Sequence, residues 1–154
     1  MTTQSDLAEA VVVERKLNAP LAKVWKALTD VDQMREWYLP CWRNDLGFKE
    51  FKAEIGFEFE FVVEHEGNKY HHLCRVVEVI PQRKLAYSWR YKGEPGVSLV
   101  TFELFGEGNQ TRLRLTHTGI ETFPKKPAYA PENFETGWTR LIGTELKQFV
   151  ERKG

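Results

Sequence analysis

Residues 57–64, FEFEFVVE, alternate phenylalanine with glutamate before they end in two valines and a further glutamate. Successive side chains of a β-strand point to opposite faces, so Phe57, Phe59 and Phe61 share one face and the glutamates the other. The stretch therefore predicts a strand whose inner face is lined by aromatic rings and whose outer face is charged and solvated.

The sequence beyond this strand continues the pattern. Turn-forming residues at 66–68, 81–83, 92–96 and 107–109 separate segments in which apolar and polar residues alternate. Alternating segments joined by such short turns are typical of antiparallel hairpins. With a first strand over residues 9–17, they predict a curved antiparallel sheet of about six to seven strands.

Two short helices are predicted between the first strand and residue 57. Pro20 can open the first helix, because the N–H that proline lacks would be unpaired in a first turn anyway. Asp30 and Asp32 are plausible caps for the second helix. The apolar positions of helical spacing in these two segments are Leu21, Val24, Trp25, Leu28, Val31, Met34 and Trp37.

A long amphipathic helix is predicted from about residue 132 to residue 152. Its apolar stripe contains Phe134, Trp138, Leu141, Ile142 and Phe149, with Glu145 on or beside the stripe. Residues 119–131 contain three prolines and no periodicity, which predicts a surface connection without core residues. We therefore expect one α+β domain over residues 1–154, with an ordered core at about 9–152. In it, the sheet closes over the long helix and encloses an apolar cavity.

The composition limits the classes of partner. The 22 Lys and Arg residues balance 22 Asp and Glu residues, so no excess charge is present to bind nucleic acid or an anionic membrane. No apolar run approaches the ~18 residues of a membrane span, and the first residues lack signal-peptide features, so we expect a cytoplasmic protein. Cys41 and Cys74 are expected to be reduced thiols, Cys74 in the core and Cys41 in a more exposed loop.

Several segments resemble a known family. They are APLAKVWKALTD (19–30), MREWY (34–38), VVEVIPQRKLAYSWRY (76–91), VTFELFGEGNQTRLRLTHTG (100–119) and GWTRLIGTELKQF (137–149). In this order they resemble the START-like, birch-pollen-allergen-like (SRPBCC) superfamily with its helix-grip fold, and within it the family related to the C-terminal domain of the activator of heat-shock protein 90 ATPase. The resemblance covers about residues 9–152. It implies a hydrophobic cavity between sheet and long helix; superfamily members bind lipids or other apolar molecules, act as cyclases or contact chaperones.

Aromatic residues are the strongest functional signal. The chain has 5 Trp, 5 Tyr and 10 Phe, and inward rings offer flat apolar surfaces to a lipid or a planar ligand. The candidate ligand-binding residues are Phe59, Phe61, Tyr87, Trp89, His117, Trp138, Leu141 and Glu145. Ordinary core packing is the alternative interpretation for each ring.

Two residues are weak candidates for catalysis. His117 continues the inward parity of its strand, so its imidazole could transfer a proton at a cavity mouth or be a hydrogen-bonded structural residue. Glu145 could orient a polar ligand group or act as an acid or base. His65, His71 and His72 lack the spacing of a metal site and are expected at the surface or at a hairpin tip. We therefore predict no metal and no cofactor.

Three functions follow, in decreasing order of support. The first is binding of a small hydrophobic molecule in the cavity, without catalysis, because the sequence lacks the common catalytic motifs. The second is a chaperone-associated, stress-response interaction module, which rests on the family resemblance alone. The third is a cyclase or hydrolase on a hydrophobic substrate. The sequence leaves open whether the protein is a monomer or a homodimer.

Overall fold

The computed structural model describes residues 10–38, 50–65 and 67–152, which form a six-stranded sheet and helices. The strand order is β1-β6-β5-β4-β3-β2, and each neighbouring pair is antiparallel. The strands are β1 (Val11–Leu17), β2 (Glu58–His65), β3 (Asn68–Ile80), β4 (Lys84–Tyr91), β5 (Ser98–Glu107) and β6 (Gln110–Thr118). Strands β2 to β6 follow one another as hairpins. The predicted α+β helix-grip architecture is confirmed.

Helices α1 (Leu21–Thr29) and α2 (Val31–Trp37) connect β1 to the rest of the sheet. The Asp30 side chain accepts a hydrogen bond of 2.9 Å from the Asp32 N–H, so Asp30 is the N-cap of α2, as predicted. Pro20 lies one position earlier than expected, as the N-cap of α1. The Trp37 indole donates to the Ala27 carbonyl at 2.7 Å, which ties α2 to α1.

The C-terminal helix has three continuous segments: α-helical Pro131–Arg140, π-helical Leu141–Leu146 and α-helical Lys147–Val150. A π turn contains about one residue more than an α turn, so the next residue that faces the sheet comes about one position later in the sequence. Leu146 and Val150 are consequently fully buried, whereas the predicted stripe positions Glu145 and Phe149 are only half-buried. The apolar stripe is therefore shifted by about one residue in its second half: Leu146 and Val150 are its centre, Phe149 packs at the edge of the core, and Glu145 lies beside the stripe.

The connection at 119–131 was predicted to carry no core residues, and this was wrong. Its two short 3₁₀ turns, Ile120–Thr122 and Pro127–Tyr129, place Ile120, Phe123 and Tyr129 in buried positions. The Phe123 ring lies 5.2 Å from that of Tyr91, between ring centroids, and 5.6 Å from that of Tyr129. Gly119, with a φ of +85°, precedes the first turn and Pro127 begins the second. Both turns direct rings against Tyr91 at the end of β4.

One of the two cysteines lies in the described part of the chain. Cys74 is a buried free thiol, as predicted, while Cys41 lies outside the described residues. None of the helices in the described part of the chain is long and apolar enough to cross a membrane.

Gly96 offers a sharp test of how 119–131 packs on the sheet. Its φ is +98°, and a Cβ there would clash with the Thr122 carbonyl oxygen and lie 2.9 Å from Phe123 Cδ1. Gly93 has a φ of +82°, and a Cβ at this position would meet no atom within 4 Å, so Gly93→Ala carries the backbone strain without the clash. We expect Gly93→Ala to lower the free energy of unfolding by about 1 kcal/mol. Gly96→Ala should lower it by about 1–3 kcal/mol more, measured by urea denaturation. Equal losses of stability in the two variants would contradict the close packing of Gly96 against Thr122 and Phe123.

Candidate functional site

The structure brings the predicted aromatic residues together on the concave side of the sheet. Phe59, Phe61, Tyr87, Trp89 and Trp138 are all buried. Ring centroids lie 5.1 Å apart for Phe59 and Tyr87, 5.6 Å for Phe61 and Trp89, and 5.4 Å for Trp89 and Trp138. Period-two alternation places the strand rings on one face, and the C-terminal helix places Trp138 against them. We call these five residues the ring cluster.

His117 joins the C-terminal helix to the sheet. The Trp138 indole donates to its Nδ1 at 3.0 Å, and its Nε2 lies 2.7 Å from Ser98 Oγ. An indole N–H only donates, so Nδ1 accepts and Nε2 carries the proton of a neutral imidazole. The Ser98 hydroxyl in turn donates to the Trp89 carbonyl at 2.9 Å. Both ring nitrogens of His117 are thus engaged within the protein.

His72 lies in the same interior, against the expectation of a surface position. Its ring stacks on Phe61 at 4.4 Å and meets the Trp89 ring at 4.8 Å, and its Nδ1 lies 2.8 Å from the Tyr70 carbonyl oxygen. The parity of β3 could have found it, because His72 shares its face with Cys74. His71 points the other way and lies 2.9 Å from a Glu60 carboxylate oxygen.

Burial keeps both interior histidines neutral. It lowers the pKa of His72 to about 3 and that of His117 to about 3, because the charged imidazolium would lose its hydration. The interior therefore contains polar groups without net charge. All buried side-chain nitrogen and oxygen atoms in the described part of the chain have a hydrogen-bond partner.

Tyr38 is a site residue that sequence reasoning missed. Its hydroxyl lies 2.6 Å from the Tyr87 hydroxyl, and both side chains are fully buried. Desolvation raises the pKa of each phenol, so both hydroxyls stay protonated. Tyr38 directly follows α2, four residues after Met34 and seven after Val31, so the helical spacing of these two residues could have identified it.

Leu141 and Glu145 differ in position. Leu141 is buried at the inner face of the C-terminal helix. The Glu145 side chain is 22% exposed, and a carboxylate oxygen lies 3.6 Å from Arg140 Nε on the flank of the same helix. The π turn explains this placement, because it turns Leu146 inward in place of Glu145.

Two grooves open beside residues 119–131. The proline groove, of about 270 Å³, is lined by residues 120, 121, 123–127 and 129–131. The tyrosine groove, of about 350 Å³, is lined by Asn68, Lys69, Tyr70, His71, Tyr91, Lys92, Glu94, Lys126, Ala128 and Tyr129. Tyr129 and Lys126 line both grooves. We call the region of these two grooves the mouth.

A line of aromatic rings connects the mouth to the ring cluster. The Tyr129 and Tyr91 centroids are 4.8 Å apart, and the Trp89 indole donates to the Tyr91 hydroxyl at 3.0 Å. Trp89 then contacts Trp138. Within the described ranges, no three His, Cys, Asp or Glu side chains are grouped to hold a metal ion. The five residues of the ring cluster are buried and line neither groove, whereas Tyr91 and Tyr129 line the tyrosine groove.

The two interior imidazoles make stability depend on pH. Their pKa is about 3 in the fold and ~6.5 in an unfolded chain, so their contribution is complete above about pH 6.5 and is lost as the pH falls toward 3. From pH 7 to pH 5 we expect the free energy of unfolding to fall by about 2 kcal/mol per imidazole. His117→Gln should remove the contribution of His117, which is about half of the combined fall for the two imidazoles. A free energy that is constant from pH 7 to pH 5 would contradict the burial of charge-free imidazoles.

Comparisons with known proteins agree on the fold and the family. The chain is 25% identical to CV1439 from Chromobacterium violaceum, with a TM-score of 0.74 over 95% of this chain and 99% of that one. It is 27% identical to MLL2253 from Mesorhizobium loti, with a TM-score of 0.70 over 94% and 98% of the two chains. DynU16, a protein in the dynemicin biosynthetic locus, shares the fold at 21% identity and a TM-score of 0.71, over 93% of this chain and 47% of DynU16.

A search of curated proteins found no match to the sequence. The family of Activator of Hsp90 ATPase homolog 1-like proteins matches residues 18–151, which is most of the chain. This confirms the resemblance seen in the sequence motifs: the chain belongs to the Activator of Hsp90 ATPase homolog 1-like family, within the SRPBCC superfamily.

Proposed function

We propose that the protein binds a small hydrophobic molecule, which enters at the mouth and contacts the ring cluster under the C-terminal helix. The continuous line of rings from Tyr129 through Tyr91 and Trp89 to Trp138 carries this proposal. Tyr70, Tyr91 and Tyr129 offer rings at the groove, and the rings buried behind them carry no charge, which is what a lipid chain or a planar molecule requires.

The polar groups of the interior support binding more than catalysis. Hydrogen bonds occupy both nitrogens of His117, and Glu145 pairs with Arg140 on the helix flank. Neither group is therefore poised to exchange a proton with a ligand. The neutral hydroxyls of Tyr38 and Tyr87 add polar points to the wall without charge. The interior thus favours recognition by shape and by a few hydrogen bonds.

The grooves limit the size of the ligand. Ligand pockets usually measure roughly 300–1,000 Å³. The tyrosine groove, of about 350 Å³, lies at the lower end of this range, and the proline groove, of about 270 Å³, lies just below it. A molecule of one to three fused rings, or a medium-length alkyl chain, fits this volume. Domains of this family commonly bind hydrophobic ligands, and the fold neighbour DynU16 belongs to a biosynthetic locus. Both facts support an apolar small molecule.

The neutral dye N-phenylnaphthylamine tests the proposal, because its emission rises in apolar surroundings. We expect saturable binding with micromolar affinity, and energy transfer from tryptophan because Trp89 and Trp138 flank the proposed site. Ala128→Trp places a large ring in the tyrosine groove and should weaken binding at least about tenfold, a loss of about 1.4 kcal/mol.

Ala22→Trp is the matched control, because Ala22 is exposed on α1, away from the mouth. This variant should bind the dye like the unchanged protein. A dye that does not bind, or that binds equally to Ala128→Trp, would argue against a ligand site at the mouth. Native mass spectrometry of protein purified from its own host would give the mass of a natural ligand.

A further inference from the structure

We propose that the ligand carries an acidic group, such as a carboxylate, and that lysines of the tyrosine groove hold this group while the apolar part lies toward the ring cluster. The inference rests on the proposed function and names the ligand class as anionic amphiphiles. It comes from the charge distribution around the mouth of a protein with a formal net charge of zero.

The tyrosine groove concentrates positive charge. Lys69, Lys92 and Lys126 line it from two hairpin ends and from the 119–131 connection, and Glu94 is its one carboxylate among the described lining residues. Lys126 Nζ lies 3.2 Å from a Glu94 carboxylate oxygen, so these two charges pair. Lys69 and Lys92 make no ion pair with any other described residue. Two positive charges at the groove are therefore available to a bound anion.

A second basic group on the outer sheet face shows the contrast. Arg112 pairs with Glu14 and Glu107, and Arg114 lies near Glu14 and Glu103. Glutamates thus neutralise these arginines across three neighbouring strands, as is usual for a solvated face. Lys126 has such a partner in Glu94, whereas Lys69 and Lys92 have none in the described part of the chain. The three lysines line a concave surface with tyrosine rings instead of an open sheet.

Tyr91 connects the charged rim to the apolar interior. Its ring lines the groove and contacts Tyr129, while its hydroxyl oxygen accepts a hydrogen bond from the Trp89 indole N–H. Desolvation raises the pKa of Tyr91, so the hydroxyl keeps its own proton, for which the described part of the chain provides no acceptor. The wall thus passes from the lysines of the groove to the Tyr91 phenol and, 3.0 Å from its hydroxyl, to the Trp89 indole.

Three ligands of equal chain length and different charge test the inference: decanoate, decan-1-ol and decyltrimethylammonium, each displacing N-phenylnaphthylamine at pH 7.5. We expect decanoate to bind most tightly and the cation least tightly. The preference for decanoate over decanol should shrink as salt rises from 20 mM to 500 mM, because salt screens exposed charges.

Charge variants locate the effect. Lys92→Gln and Lys69→Gln should each weaken decanoate binding about two- to fivefold, the range of an exposed ion pair, and leave decanol binding unchanged. Glu94→Gln should strengthen decanoate binding by a similar factor, because it frees Lys126 from its pair. Lys84→Gln is the control: Lys84 starts β4, at the opposite end of that strand from Lys92, and pairs with Glu78. Circular dichroism confirms that each variant is folded.

The outcomes separate this inference from the proposed function. If dye and decanol bind but decanoate binds no more tightly than decanol, or if Lys84→Gln acts like Lys92→Gln, the anionic preference is wrong and hydrophobic binding stands. If neither the dye nor any of the three ligands binds, both proposals fail. Tighter binding of decanoate that depends on Lys69, Lys92 and Glu94 supports both.

Discussion

The hydrogen bond from the Trp138 indole to His117 fixes the C-terminal helix over the sheet. Packing of apolar side chains alone holds a helix against a sheet but allows it to slide, whereas a directional bond in a dry interior sets one position. The chain of bonds continues through Ser98 to the Trp89 carbonyl and so crosses β6, β5 and β4. It requires a neutral imidazole, because Nδ1 has to accept.

That position determines what surrounds the ring cluster. With Trp138 held against Trp89, the helix covers the centre of the concave face, and the open end of the sheet falls beside β4 and the 119–131 connection. Phe123 and Tyr129 fold back to meet Tyr91, so the mouth has an aromatic wall where a regular loop would leave polar backbone. A small number of aromatic residues is enough to fill the space between the connection and the sheet, because their side chains are large. The tyrosine groove lies where the rings of Tyr70, Tyr91 and Tyr129 meet, Tyr70 contacting each of the other two edge to face.

The sequence made the sheet predictable and left parts of the site open. Period-two alternation is local, so the inward positions of Phe59, Phe61, Tyr87 and Trp89 follow directly from it. The π turn has no comparable signal, since its residues suit a regular helix, so the inward position of Leu146 could not be foreseen, although Glu145 was expected on or beside the stripe. The core role of Phe123 depends on contacts with distant Tyr91, which no pattern within 119–131 encodes. The interior position of His72 could have been predicted, because His72 lies two residues from Cys74 on the same face of β3.

A charge-free interior and a cationic mouth would together give one orientation to the anionic amphiphile that we propose as the ligand. Inward positions on β4 repeat every two residues, about 6.6 Å along the strand, so Tyr87, Trp89 and Tyr91 form a graded wall that ends beside Lys92. An anionic group would lose its hydration among the inner rings and find no opposite charge there, because His72 and His117 remain neutral. The same group at the rim stays hydrated and meets ammonium groups. Burial of the histidines therefore contributes to orientation as well as to packing, since protonated imidazoles would offer the anion a competing position inside.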